Sequence, residues 1–166
     1  MSLTLAAVGA LVATLFDTSI APYLRIGGAQ PDLVLVFAVI WTVVVGFEGG
    51  LIWAFIGGLA IDLLAPRPLG STAFALLLTV GAAAIFSRVF VRGSYARPII
   101  AVFLSSLMYT LLYTGINRAL RGPIPLDDAL GAVVPTAVFD AVIALLVSPI
   151  IVRLHARTAD RDRVDW

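Results

Sequence analysis

The sequence predicts an all-α membrane protein of six transmembrane helices. Hydrophobic residues make up 61% of the 166 positions and charged residues only 13%, where soluble domains carry roughly 25% charged residues. Mean hydropathy is +1.06. Apolar runs recur about every 25 to 30 residues, so nearly the whole chain is spent on spans and short turns.

The elements follow in order. The opening run MSLTLAAVGALVATLF has no basic residue before it and no small-x-small cleavage site, so it reads as a retained span over Leu3 to Ser19, with the mature chain starting at Met1 or Ser2. Further helices are expected over Pro31 to Phe47, Gly50 to Ala65, Ser71 to Phe90, Pro98 to Asn117 and Gly131 to Val152. Several are short for a hydrocarbon core of about 30 Å, as expected where the bilayer thins or helix ends sit at the interface. Residues 1–153 form one six-helix transmembrane domain, and 154–166 a short cytoplasmic tail.

Six spans put both termini on one side, and arginine counts choose the side. The face holding the termini carries Arg88, Arg92, Arg97, Arg153, Arg157, Arg161 and Arg163, whereas the other carries Arg25, Arg67, Arg118 and Arg121. That other face also holds Asp17, Asp32, Asp127 and Asp128. Both termini are therefore expected in the cytoplasm. The loop RVFVRGSYARP interleaves aromatics with Arg and suits an interfacial segment touching anionic lipids. The tail RLHARTADRDRVDW has mixed charge and no apolar stripe, which suits a solvated segment or a lipid-headgroup contact and not a domain, and no functional role is expected of its lone His155.

Composition excludes several chemistries. The chain has no cysteine and one histidine, so thiolate metal sites, thiol catalysis, paired-His metal sites and a Ser-His-Asp triad are out of reach. No GxSxG elbow occurs, and no basic patch is dense enough for nucleic acid. The expectation is a protein that is not an enzyme and takes no cofactor.

Polar residues inside the spans are candidates for structural roles. Asp140 falls about ten residues into the last span, where a charge must pair, protonate or face a cavity. It shares a line with Thr136 and Ser148, and Pro135 frees a backbone carbonyl one turn upstream. The fifth span carries Ser105, Tyr109, Tyr113 and Asn117 at i, i+4 spacing, a polar stripe suited to interhelical hydrogen bonds or to a ligand cavity.

A second pattern lies in GGLIWAFIGGLAIDLLAPRPLG, residues 49–70. Gly50, Ala54, Gly58 and Asp62 fall on one line of the third helix. Glycine and alanine let two backbones approach closely, and in lipid that contact drives association. The strip is thus a packing face, for a neighbour in this chain or in another protein. Asp62 then lies near the outer headgroups, within reach of Arg67, and Pro66, Pro68 and Gly70 enforce a tight outer turn. The first span repeats the theme weakly in Ala6 and Ala10, with Gly9 and Ala13 beside them.

Two stretches carry a family resemblance: LFDTSIAPYLRIGGAQPDLVLV over residues 15–36, with Pro-Asp-Leu opening the second span, and GGLIWAFIGGLAIDLLAPRPLGSTAF over residues 49–74. The chain resembles the MreD family of rod shape-determining membrane proteins, in which a glycine-rich third span ends in Asp-Leu-Leu and a Pro-Leu-Gly turn. Asp62, Leu63, Leu64, Pro68, Leu69 and Gly70 match those positions. Beyond residue 74 the match is hydropathic only.

The resemblance implies a non-enzymatic scaffold of the bacterial elongasome in the cytoplasmic membrane. Its implied partners are the single-span protein MreC and, in a larger complex, MreB, RodA and RodA's partner transpeptidase, acting in lateral peptidoglycan synthesis. Gly50, Ala54, Gly58, Asp62, Pro68, Leu69 and Gly70 are the expected partner-binding residues, and Asp140, Tyr109, Tyr113 and Asn117 the structural polar ones. The family is also similar in architecture to the S-components of energy-coupling-factor transporters. That likeness leaves a vitamin-binding module as the alternative, with Asp62, Tyr109, Tyr113 and Asn117 lining a pocket.

Overall fold

The computed structural model describes residues 3–25, 29–65, 68–89, 96–121 and 126–161. Among them the protein is all-helical, with α1 (Leu3–Ser19), a short 3-10 turn (Ala21–Leu24), α2 (Leu33–Val44), α3 (Phe47–Leu64), α4 (Ser71–Val89), α5 (Ala96–Arg121) and α6 (Leu126–Arg161). Residues 66–67 and 90–95 lie outside the described residues, and with them the expected Asp62–Arg67 pair and most of the Arg-rich loop. The side chain of His155 does so too. The backbone of α6 continues through much of the expected tail, as far as Arg161.

Four helices, α3 to α6, are long and apolar enough to cross a membrane. The other two fall short. With 17 residues in α1 and 12 in α2, their rises are only about 25 Å and 18 Å. The second helix is not the 17-residue element expected over Pro31 to Phe47, because the chain breaks at Val45 and Gly46. Gly46 adopts φ +150° and ψ 161°, a region open essentially to glycine alone. Its N–H returns to the Trp41 carbonyl at 2.9 Å, and α3 starts at once at Phe47, three residues earlier than expected.

The core forms around α2, which packs against α1, α3, α4, α5 and α6. The sequence LVLVFAVIWTVV is apolar all round, the pattern of a helix with no face toward solvent. Accordingly Val34, Leu35, Val36, Ala38, Val39 and Ile40 are fully buried. Phe37 stacks on Trp53 with ring centroids 5.3 Å apart, and Trp41 tilts against the same indole at 5.7 Å. By contrast α1 is two-faced. Ala6, Ala10 and Ala13 turn inward, while Leu5, Val8, Val12 and Phe16 are exposed.

The strip on α3 is occupied within the protomer. A Cβ at Gly50 would collide with the Thr42 hydroxyl of α2, and one at Gly58 would stand 2.5 Å from the Ala73 Cα of α4. Ala54 is fully buried between them. Next to the strip, a Cβ on Gly57 would lie 2.5 Å from Val34 Cγ1 and 3.7 Å from Ala10 Cβ, so one glycine-rich helix packs at close range on α1, α2 and α4. These contacts also fix direction. Gly9 faces Trp53 and Ala10 faces Gly57, so α1 and α3 run parallel, while α2 and α4 run antiparallel to α3.

Candidate functional site: carboxylates at helix N-termini

An α-helix begins with four backbone N–H groups that lack an intrahelical acceptor. In α2 those of Asp32, Leu33, Val34 and Leu35 precede the first helical bond, from the Val36 N–H to the Asp32 carbonyl at 3.0 Å. Each of the four donates to a carboxylate. Asp32 N–H reaches Asp140 Oδ1 at 2.9 Å, and Leu33 and Val34 N–H reach Asp17 Oδ1 and Oδ2 at 2.9 and 3.2 Å. Leu35 N–H reaches Oδ1 of Asp32 at 3.0 Å. The Ser106 hydroxyl of α5 completes the cluster by donating to Asp140 Oδ2 at 2.6 Å. Side chains of α1, α5 and α6 thus meet at the start of α2.

A smaller copy of this arrangement opens α4. The Thr72 N–H lies 3.2 and 3.1 Å from the two Asp62 oxygens, and the Ala73 N–H lies 3.4 Å from Oδ2. The preceding turn is closed by Ser71 N–H on the Pro68 carbonyl at 3.1 Å. Gly70 takes φ +86° at its third position, as a type II turn requires. Ser71 Oγ donates to the same carbonyl at 2.8 Å.

The two arrangements share a rule. Asp17 and Asp62 each stand two residues before the last residue of their own helix, where the negative end of the macrodipole disfavours a carboxylate. Both serve instead the positive N-terminus of the following helix. In the sequence Asp17 and Asp32 read as charges of the outer face, and Asp32 also as part of Pro-Asp-Leu, neither as a helix cap. Two signals were present: an aspartate directly before a wholly apolar run is an N-cap, and an acid in a helix's last turn must serve something else.

The other expected residues fall as follows. Gly50, Ala54, Gly58 and Asp62 are buried within the chain, Gly50 against α2 and Gly58 and Asp62 against α4. Leu69, on the turn, is 70% exposed, and Leu63 and Leu64 at the end of α3 are exposed as well. Pro68 and Gly70 are half-buried. Asn117 is buried and its side-chain amide donates to the Tyr113 carbonyl at 2.9 Å, within its own helix. Tyr109 and Tyr113 stack at 5.9 Å.

A polytopic helical membrane protein, with its buried acids engaged on helix termini, is the class that fold and site define. The match to a known family is then specific: residues 2–157 fit the family described as rod shape-determining protein MreD. The chain belongs to the MreD family, shape-determining structural proteins of the membrane. No curated protein and no solved structure matches it.

Proposed function

We propose that the protein is a non-enzymatic scaffold of the bacterial elongasome, held in the cytoplasmic membrane with both termini and residues 154–166 on the cytoplasmic side. In this reading all six helices belong to one membrane domain, α2 buried inside it. The protein binds MreC and, with MreB, RodA and RodA's partner transpeptidase, supports lateral peptidoglycan synthesis. Family membership points to rod shape. The observation that carries the scaffold reading is the use of the buried acids: Asp17, Asp32, Asp62 and Asp140 all accept backbone N–H groups, which is chemistry of holding helices in place.

With the glycine strip filled from within, partner binding moves to what that packing displays. Leu69 is 70% exposed on a turn closed by Gly70 and followed by the Asp62 cap of α4, and Leu63 and Leu64 are exposed at the end of α3 that leads into it. The docking surface for MreC is this rigid apolar corner. The test is affinity purification of tagged protein from native membranes in a gentle detergent. Leu69→Glu is expected to insert and melt like the parent yet lose most of the co-purifying MreC, since a charge placed in an apolar interface core is strongly unfavourable. Parental retention of MreC by the variant would remove the corner from the interface.

A further inference from the structure

The outward side of α5 carries a hollow that packing among the described residues does not fill. It has a volume of about 740 Å³, and its lining includes Leu104, Leu107, Met108, Leu111, Gly115 and Ala119. From Leu104 to Ala119 it follows about 22 Å of helix, more than the ~15 Å depth of one leaflet's hydrocarbon. Gly115 deepens it, since nothing lies within 4 Å of where its Cβ would be. One turn on, at helical spacing from Leu107, Leu111 and Gly115, stands Arg118, half-buried. Among the described residues no carboxylate pairs with it.

We propose that this hollow binds one anionic phospholipid, an acyl chain lying along Leu104 to Ala119 and the headgroup phosphate on Arg118. Charge complementarity selects this occupant. Burying an apolar chain in an apolar groove brings little gain over the bilayer itself, so an apolar hollow alone would exchange its lipids freely. A cation one turn beyond Gly115 on the same helix changes that, because a guanidinium forms charge-assisted hydrogen bonds with a phosphate and is attracted most to a headgroup whose negative charge no ammonium of its own offsets. The lining also disfavours a helix as occupant. Close helix approach needs small residues along the seam; Gly115 and Ala119 supply them at one end only, and over the rest of the hollow Leu104, Leu107, Met108 and Leu111 hold a second backbone away and leave a slot suited to a narrow, flexible chain.

Native mass spectrometry of the purified full chain, after exchange into mixtures of phosphatidylglycerol and phosphatidylcholine with identical acyl chains, tests this. The parent is expected to retain a single phospholipid with about fivefold preference for phosphatidylglycerol, the contribution of one basic residue near anionic lipid. Arg118→Gln should bring the ratio to about one while keeping the lipid. Gly115→Leu, entering open space, should fill the slot and lose both lipids. A ratio unchanged by Arg118→Gln overturns the proposal, as does unchanged lipid retention by Gly115→Leu. It is equally overturned if Gly115→Leu releases MreC and leaves the lipid in place, because the occupant is then a protein helix. Should Gly115→Leu fail to fold, the ratio in Arg118→Gln decides alone.

Discussion

Asp17→Ala isolates the capping arrangement at α2. The carboxylate is 8% exposed and accepts the N–H groups of Leu33 and Val34 at 2.9 and 3.2 Å. Alanine leaves one part-buried and one buried donor without an acceptor. Each such group costs about 1 to 3 kcal/mol, so the loss is about 2 to 6 kcal/mol. For a chain of this size 1 kcal/mol moves Tm by roughly 2 to 4 °C, and the expected fall is therefore about 4 to 24 °C. Thermal unfolding in mild detergent, followed by the fluorescence of buried Trp41 and Trp53, reads it directly. Asp17→Asn keeps one acceptor but presents an amide donor to the other N–H, and should fall between parent and alanine variant. Glu48→Ala, at an exposed acid, serves as reference and should stay within about 0.5 kcal/mol of the parent. A Tm for Asp17→Ala indistinguishable from that reference would refute the assignment.

Asp140→Leu removes the acceptor of both Asp32 N–H and the Ser106 hydroxyl, and a similar loss of about 2 to 6 kcal/mol is expected by the same reasoning. Ser106→Ala in that background should cost less than in the parent, with a coupling of about 0.5 to 3 kcal/mol in a double-mutant cycle of melting curves. Gly58→Leu drives a side chain into the Ala73 backbone and should lower the yield of monodisperse protein whether or not MreC is co-expressed. Gly70→Ala is expected to cost about 1 to 2 kcal/mol, because φ +86° places a Cβ in the left-handed region. Its melting curve against that of Gly115→Ala, where space is open, separates strain from crowding.

Much of the helical plan was legible because hydropathy reads it directly. The bounds of α1 coincide with the expected Leu3 to Ser19, and α4 ends one residue from the expected Phe90. The start of α3 differs because Phe47 to Gly49 reads as a turn before the helix at Gly50, until Gly49 is seen packed against Trp41. The break before it depends on one backbone angle at Gly46 that hydropathy does not encode. The strip of Gly50, Ala54 and Gly58 was legible as a close-packing face, but spacing along one helix carries no information about which chain fills it. Least legible was the cluster at α2. Asp17, Asp32 and Asp140 are separated by up to 123 positions, and only the fold brings their oxygens to adjacent amides.

The shortness of α2 explains why those carboxylates are needed. A 12-residue helix rises about 18 Å against a hydrocarbon core of about 30 Å. If its Trp41 end lies level with the start of α3, as the Gly49 contact places it, its other end stops well inside the slab. Water cannot serve N–H groups there, and an unsatisfied one costs several kcal/mol, so acceptors must come from neighbouring helices. They come from α1, from α6 and from the helix's own cap. In lipid, apolar packing alone gives helices little preference for one register over another. A carboxylate that must meet particular amides does fix a register. The same device at α4, with Asp62 on Thr72 and Ala73, ties α3 to α4 and sets the height of the turn that displays Leu69. Loss of either carboxylate should therefore displace helices along their axes, and a variant such as Asp62→Ala should weaken MreC retention although Asp62 itself is buried at 3% exposure. Unchanged retention in Asp62→Ala, with a lowered Tm, would separate the cap from the corner it supports.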